Sequence, residues 1–172
     1  MKGFDVGLVK IRFEVANEVQ LSRAFETGAS RFRNLEQPFN EMADDFFESM
    51  ARVFAAEGAF EERSRWQDLS PAYAKWKAKY YPGRKILERT GRLRNSLTTK
   101  GGPDSVLDIT PDSLNVGTLV PYAVAHQKGT TWLPIRKIIE LTNAQKKRWV
   151  RIMHAYMYNT GERMANISRG GS

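Results

Sequence analysis

Apolar side chains recur along this chain with two different periods, and each change of period marks an element. In residues 6–15 (VGLVKIRFEV), Val9, Ile11, Phe13 and Val15 alternate with Lys10, Arg12 and Glu14, the two-residue period of a half-buried strand. A short helix is expected around Gln20–Phe25, stopped at Thr27-Gly28. From residue 35 to 57 the period becomes helical. Leu35, Phe39, Met42, Phe46, Met50 and Val53 form one stripe, Phe47 and Phe54 widen it, and Gly58 ends it. These aromatics read as core. Ser70-Pro71 is a helix start, a serine cap followed by proline at the first helical position. That helix carries Tyr73, Trp76 and Tyr80 and breaks at Tyr81-Pro82-Gly83.

A further short helix is expected from Thr90, with Leu93 and Leu97 inward, ending at Gly101-Gly102-Pro103. Residues 105–110 and 113–120 read as two strands of a hairpin turning at Pro111-Asp112. Residues 122–127 form a helical turn stopped by Gly129, and residues 132–139 suit either a strand or an extended arm. A last helix spans 143–158 with Asn143 as its cap. Its second half, WVRIMHAYMY, is apolar on nearly every side, so it must be deeply buried or covered by another subunit. Residues 165–172 read as a flexible tail. The element order gives one α+β domain over residues 1–172, a small, mainly antiparallel sheet packed with helices.

Composition narrows the function classes. At 172 residues, 41% hydrophobic and 27% charged, the chain can bury one core. It has no cysteine, which excludes disulfides, thiolate catalysis and cysteine-based metal sites, and suits a cytoplasmic protein. No signal-peptide pattern and no membrane-spanning apolar run is visible, so a soluble, non-exported protein is expected. The net charge of +8 is uneven. Residues 1–60 hold 7 basic and 10 acidic side chains, residues 61–100 hold 11 and 4, and residues 101–172 hold 9 and 5. An acidic front and a basic middle suit nucleic-acid binding or head-to-tail contact between copies.

Catalytic patterns are missing. His126 and His154 are the only histidines and neither lies in an HExxH; no GxSxG elbow or phosphate loop occurs. Asp44 and Asp45 point about 100° apart on a helix, as on a solvated face. His126 reads as a structural, hydrogen-bonded residue. The basic run holds Arg63, Arg65, Lys75, Lys77, Lys79, Arg84, Lys85, Arg89, Arg92 and Arg94 against Asp68 and Glu88, with Trp66, Tyr73, Trp76, Tyr80 and Tyr81 interleaved. That composition suits nucleic acid. The weightier reading makes 73, 76 and 80 a buried helix stripe with the lysines on its wet side.

The order of the motifs is more specific than any one of them. Trp66, Leu69, Ser70 and Pro71 open the series. Ile86, Leu87, Thr90, Gly91, Leu93 and Ser96 follow, then Gly117 in "NVGT", then Tyr122, Ala123, His126, Gln127 and Gly129, then Pro134 and Arg136 before the last helix. This order resembles the phage virion morphogenesis (tail-completion, neck) family of Mu-like phages, over about residues 66–150. One departure is Pro134-Ile135-Arg136-Lys137-Ile138-Ile139, where the family usually has Pro-Ala-Arg-Pro-Phe-Leu.

The resemblance implies a structural, non-enzymatic protein at the head–tail junction of a virion, assembled in the host cytoplasm as a ring of six or twelve copies. It implies no cofactor, no metal and no membrane partner. The implied partners are other neck, connector and tail proteins, with contact to phage DNA in the channel. Lys75, Lys79, Arg84, Trp149, Met153 and Tyr156 are the expected interface residues. The rival reading is a nucleic-acid-binding module using residues 63–94. On either reading His126 and Gln127 tie a turn to neighbouring backbone rather than form an active site.

Overall fold

The structure, a computed structural model, describes the backbone of residues 9–14 and 34–169 and the side chains of residues 34–157. The short helix expected near Gln20–Phe25 lies outside the described residues. A three-stranded antiparallel sheet has strands β1 (Val9–Glu14), β2 (Ser105–Ile109) and β3 (Ser113–Thr118) in the order β1-β3-β2. Val116 pairs with both Ile11 and Leu107, and Leu114 with both Phe13 and Ile109. Leu114, Val116 and Thr118 are fully buried, so one face of the central strand is core.

The long helix α1 (Glu36–Ala55) lays its stripe on this sheet. Phe39, Met42, Phe46, Met50, Val53 and Phe54 are all essentially inaccessible. Asn34 Oδ1 accepts from the Glu36 amide at 2.9 Å and begins the helix. The helix ends in a Schellman-type turn. The Gly58 amide donates to Val53 at 2.8 Å and the Glu57 amide to Phe54 at 3.2 Å, and the left-handed residue after the cap is Glu57, φ 49°. Gly58 itself has φ 96°, and a Cβ there would stand 2.8 Å from the Trp66 ring, so glycine is required twice over.

Four more helices follow: α2 (Pro71–Tyr80), α3 (Arg92–Thr98), α4 (Ala123–Lys128) and α5 (Asn143–Arg169). α3 packs on α1 and the sheet, and α5 packs on α1. The Ser96 hydroxyl meets the Thr118 hydroxyl at 2.7 Å and so fastens α3 to β3 in the dry interior. The α3 start differs from expectation. Gly91, φ 86°, is the cap residue, and Thr90 reaches only the Arg92 amide, at 3.4 Å. α5 is capped by Thr142, whose hydroxyl accepts from the Gln145 amide at 3.1 Å, rather than by Asn143. Its backbone runs to Arg169, past the expected end at 158 and into the segment read as a tail.

Two readings are corrected. Asp45 is not on a solvated face. Its carboxylate accepts from Trp149 Nε1 at 2.8 Å, Arg148 Nε at 2.6 Å and Gln145 Nε2 at 3.2 Å, tying α5 to α1. Only Asp44 faces water, in an exposed pair with Lys100. Trp149, expected on an interface, is 2% exposed and belongs to the core of the protomer. The apolar second half of α5 is explained in part by this. Met153 and Tyr156 are half-buried against the same core, while Val150 is exposed.

Trp149→Ala is expected to lower unfolding free energy by about 3–5 kcal/mol in urea titration. Asp44→Ala should stay within about 0.5 kcal/mol of the parent, because its ion pair is exposed. A Trp149→Ala cost under about 1 kcal/mol would show that α5 is not seated on α1 as described.

Candidate functional site

The motif residues converge on one irregular stretch of backbone. Residues 134–142 form no strand with any neighbour and run as a strap across the start of the connection that follows α1. Without a ladder, their main-chain groups need other partners. Gln127 supplies three bonds. Its Oε1 accepts from the Ile138 amide at 2.7 Å and the Ile139 amide at 3.0 Å, and its Nε2 donates to the Ile139 carbonyl at 2.7 Å. Trp66 Nε1 donates to the Lys137 carbonyl at 2.8 Å while its ring packs edge-on to Phe54. Arg63 donates to the Ile138 carbonyl at 3.3 Å and to the Glu140 carbonyl. The Arg136 amide donates to the His126 carbonyl at 2.8 Å.

Arg136 grips in the opposite direction. It is 4% exposed, and its guanidinium donates to the carbonyls of Gln67 at 2.9 Å and Asp68 at 3.1 Å, just ahead of α2. Ser70 then caps α2, accepting from the Tyr73 amide at 3.4 Å, with Pro71 at the first position. Burial lowers the Arg136 pKa, opposed by Asp68 and then Tyr73. Lysine could not reproduce this two-pronged contact. The strap therefore adopts the arm alternative, not the strand, and the loss of the family's second proline leaves Ile138 and Ile139 buried as intended. Gly129, φ 73°, ends α4, and a Cβ there would meet Ile135 Cγ1 at 2.7 Å.

His126 plays a smaller part than expected. Its backbone joins the network, but Nδ1 is buried and without a hydrogen bond, and its ring stands edge-on to Tyr122. Burial, then Arg136, pushes its pKa below the ordinary imidazole value. The remaining motif residues are packing positions. Ile86, Leu93, Gly117 and Ala123 are buried, Leu69 and Leu87 lie partly buried against the core, Pro134 is half-buried, and Tyr122 is partly exposed. Leu87 sits at φ 62°, a conformation unusual for a leucine.

The helix α2 reverses the expected orientation. Tyr73, Trp76 and Tyr80, read as a buried stripe, are 38%, 40% and 56% exposed, and the one buried residue of the helix is Lys77. The Lys77 ammonium caps the Lys85 carbonyl, and burial lowers its pKa against the opposing pull of Glu88 and Glu57. Outside, the aromatic rings form a ladder. Tyr73 stacks on Trp76 at 5.4 Å, and Trp76 also meets Tyr80 at 5.4 Å and Tyr81 at 5.6 Å.

Many cations of the basic run are already engaged. Arg63, Lys77 and Lys85 cap carbonyls, Arg65 pairs with Glu57 and Asp68, Arg92 with Asp104, and Arg94 with Glu88. The Ile86 amide, and after it Arg65, hold the Glu57 carboxyl below the ordinary carboxylate range against the effect of burial. Lys75, Lys79 and Arg84 have no carboxylate partner among the described residues, although Lys79 lies over the Tyr80 ring. Among the expected interface residues, these three remain on the surface beside the ladder. Sequence reasoning counted Arg63 only as part of the basic run, and missed Glu57 and Trp132. Trp132 is 90% exposed at the tip of a turn closed by Thr130 and Leu133. Among the described residues no cluster of His, Asp and Glu is placed to hold a metal, and no helix is long and apolar enough to cross a membrane.

Comparison with known proteins returned one result. The profile of the phage virion morphogenesis family matches residues 16–157, most of the chain and every motif described above. No curated protein and no solved structure gave a significant match.

Gln127→Leu strands the main-chain groups of Ile138 and Ile139, and is expected to cost about 2–3 kcal/mol by denaturant unfolding. His126→Phe removes an unpartnered polar atom from a covered site, so its stability at pH 8 should equal or exceed that of the parent. Because the folded-state pKa of His126 is depressed, the unfolded chain takes up the proton first. Its contribution is complete above about pH 6.5 and is lost as pH falls further. His126→Phe should remove that part of the slope, and an unchanged pH profile would show that His126 is not held neutral.

Proposed function

The chain belongs to the phage virion morphogenesis family, and we propose that it acts at the head–tail junction, completing the tail or forming the neck through which head and tail join. Family membership makes the role a structural one in building the virion. The finer reading adds a ring of identical copies that presents a repeated face to the next component. The observation that carries it is the disposition of the motif residues. The polar atoms of Gln127, Trp66 and Arg136 are spent on main-chain bonds, and the grip of Arg136 on the residues ahead of α2 leaves that helix with its aromatic ladder displayed. Tyrosine and tryptophan exposed together on a helix suit the core of a protein interface, and the neighbouring lysines suit its polar rim.

The exposed ladder also revives the nucleic-acid reading, because bases stack on aromatic faces beside cations. Two features weigh against it. Tyr73 and Trp76 already stack on one another, and six of the ten cations of the run already serve carbonyls or carboxylates.

Electron microscopy of a lysate from phage lacking this gene is expected to show filled heads beside separate tails, joined on adding the purified protein. Intact virions in normal number would overturn the junction role. Titration of the protein with duplex and single-stranded DNA should be weak and fall to background by physiological salt; tight binding with a steep salt slope would favour the nucleic-acid reading.

A further inference from the structure

Two outward faces of this protomer are complementary. On α2, Lys75 and Lys79 stand four residues apart in one exposed row on the Trp76 side of the ladder of Tyr73, Trp76 and Tyr80, and neither has a carboxylate partner among the described residues. On α1 the outward face is acidic. Glu41, Asp44 and Glu48 follow one another along it, all exposed, and Glu36 is exposed about a quarter-turn away at the helix start. Glu36 and Glu41 make no ion pair among the described residues, and the pairs Asp44–Lys100 and Glu48–Arg52 are open to water and weak. Toward its C-terminal end this face continues in Ala51 and Ala55, small side chains that let bulky rings approach.

We infer that the aromatic, basic face of α2 on one copy docks on the acidic outer face of α1 on the next copy. This rests on the ring reading above and gives it a geometry. The two faces share no residue, so the contact is heterologous, and repeated contacts of that kind close a ring or extend a filament. If the α2 face, a shelf of aromatic rings and lysines, met its own copy in a symmetric dimer, Lys75 and Lys79 would stand against their own counterparts, and like charges across an interface are costly. A second copy also suits the ladder better than a nucleic acid does. Tyr73 and Trp76 already stack on one another and Tyr80 is tilted against Trp76, so the cluster offers a broad aromatic surface with phenolic hydroxyls, which suits a helix surface of carboxylates and alanines.

Reciprocal charge reversal tests the pairing. One variant carries Lys75→Glu and Lys79→Glu, the other Glu41→Lys and Asp44→Lys. All four positions are exposed, so both variants should melt with the parent. By light scattering and negative-stain microscopy, the parent should form rings and each variant alone should dissociate, weakened at least about tenfold. An equimolar mixture should form rings again, because alternating copies then place opposite charges at every junction, as an even-numbered ring allows. The neutral variant Lys75→Gln/Lys79→Gln should fall between parent and reversal. Rings formed by both reversed variants would overturn the assignment of faces while leaving the ring reading in place, and so would a mixture that stays dissociated. A parent that is monomeric at tens of micromolar would overturn both. A shelf variant that keeps its rings but loses DNA binding would transfer the shelf to nucleic acid.

Discussion

Main-chain carbonyls withdrawn from water need donors, and where no strand or helix supplies them, side chains must. In this protein that requirement concentrates on the strap from Pro134 to Thr142 and on the connections around α2. Gln127 acts there as a substitute strand, offering an acceptor and a donor to consecutive residues. Arg63, Lys77, Lys85 and Arg136 act as caps on carbonyls. Remove these donors and α2 has little else to hold it, since its only buried side chain is itself one of the caps.

The same requirement changes the meaning of the charge. A run of ten cations looks like an electrostatic surface, yet much of it replaces missing secondary structure or answers Glu57, Asp68, Glu88 and Asp104. A guanidinium suits this work because its donors lie in one plane and can serve two carbonyls at once. What faces water is a smaller set around an aromatic ladder. Net charge thus overstates the affinity of such a segment for polyanions, and the local partner of each cation decides the matter.

Periodicity revealed the elements more faithfully than it revealed which side of each faces inward. The stripe of α1 is legible because many apolar positions agree. On α2 the same reasoning pointed the wrong way. Tyr73, Trp76 and Tyr80 have helical spacing, but the position this helix buries is Lys77, whose ammonium finds a carbonyl eight residues ahead. No local pattern marks a lysine that will be buried. Asp45 and Trp149 were misread together, since the indole N–H and the carboxylate satisfy each other across 104 residues. The strap was legible only as an ambiguity between strand and arm, because its partners are side chains far off in sequence. Family resemblance caught what periodicity could not, since Trp66, Gln127 and Arg136 are the side chains that make those distant bonds.

Distance along the chain has one more consequence. Arg136 reaches a carbonyl 69 residues earlier and Trp66 a carbonyl 71 residues later, so both bonds close long loops that contain α2. Contacts of that span form late, because chain entropy must be overcome before they return any energy. α1 and its neighbours can collapse first, while α2 stays untethered until the strap arrives. A nascent or damaged chain would therefore carry these aromatics without a fixed arrangement, and only a finished protomer would offer them as one ordered face. If copies assemble as proposed, completion of folding would be the checkpoint that decides which of them can join.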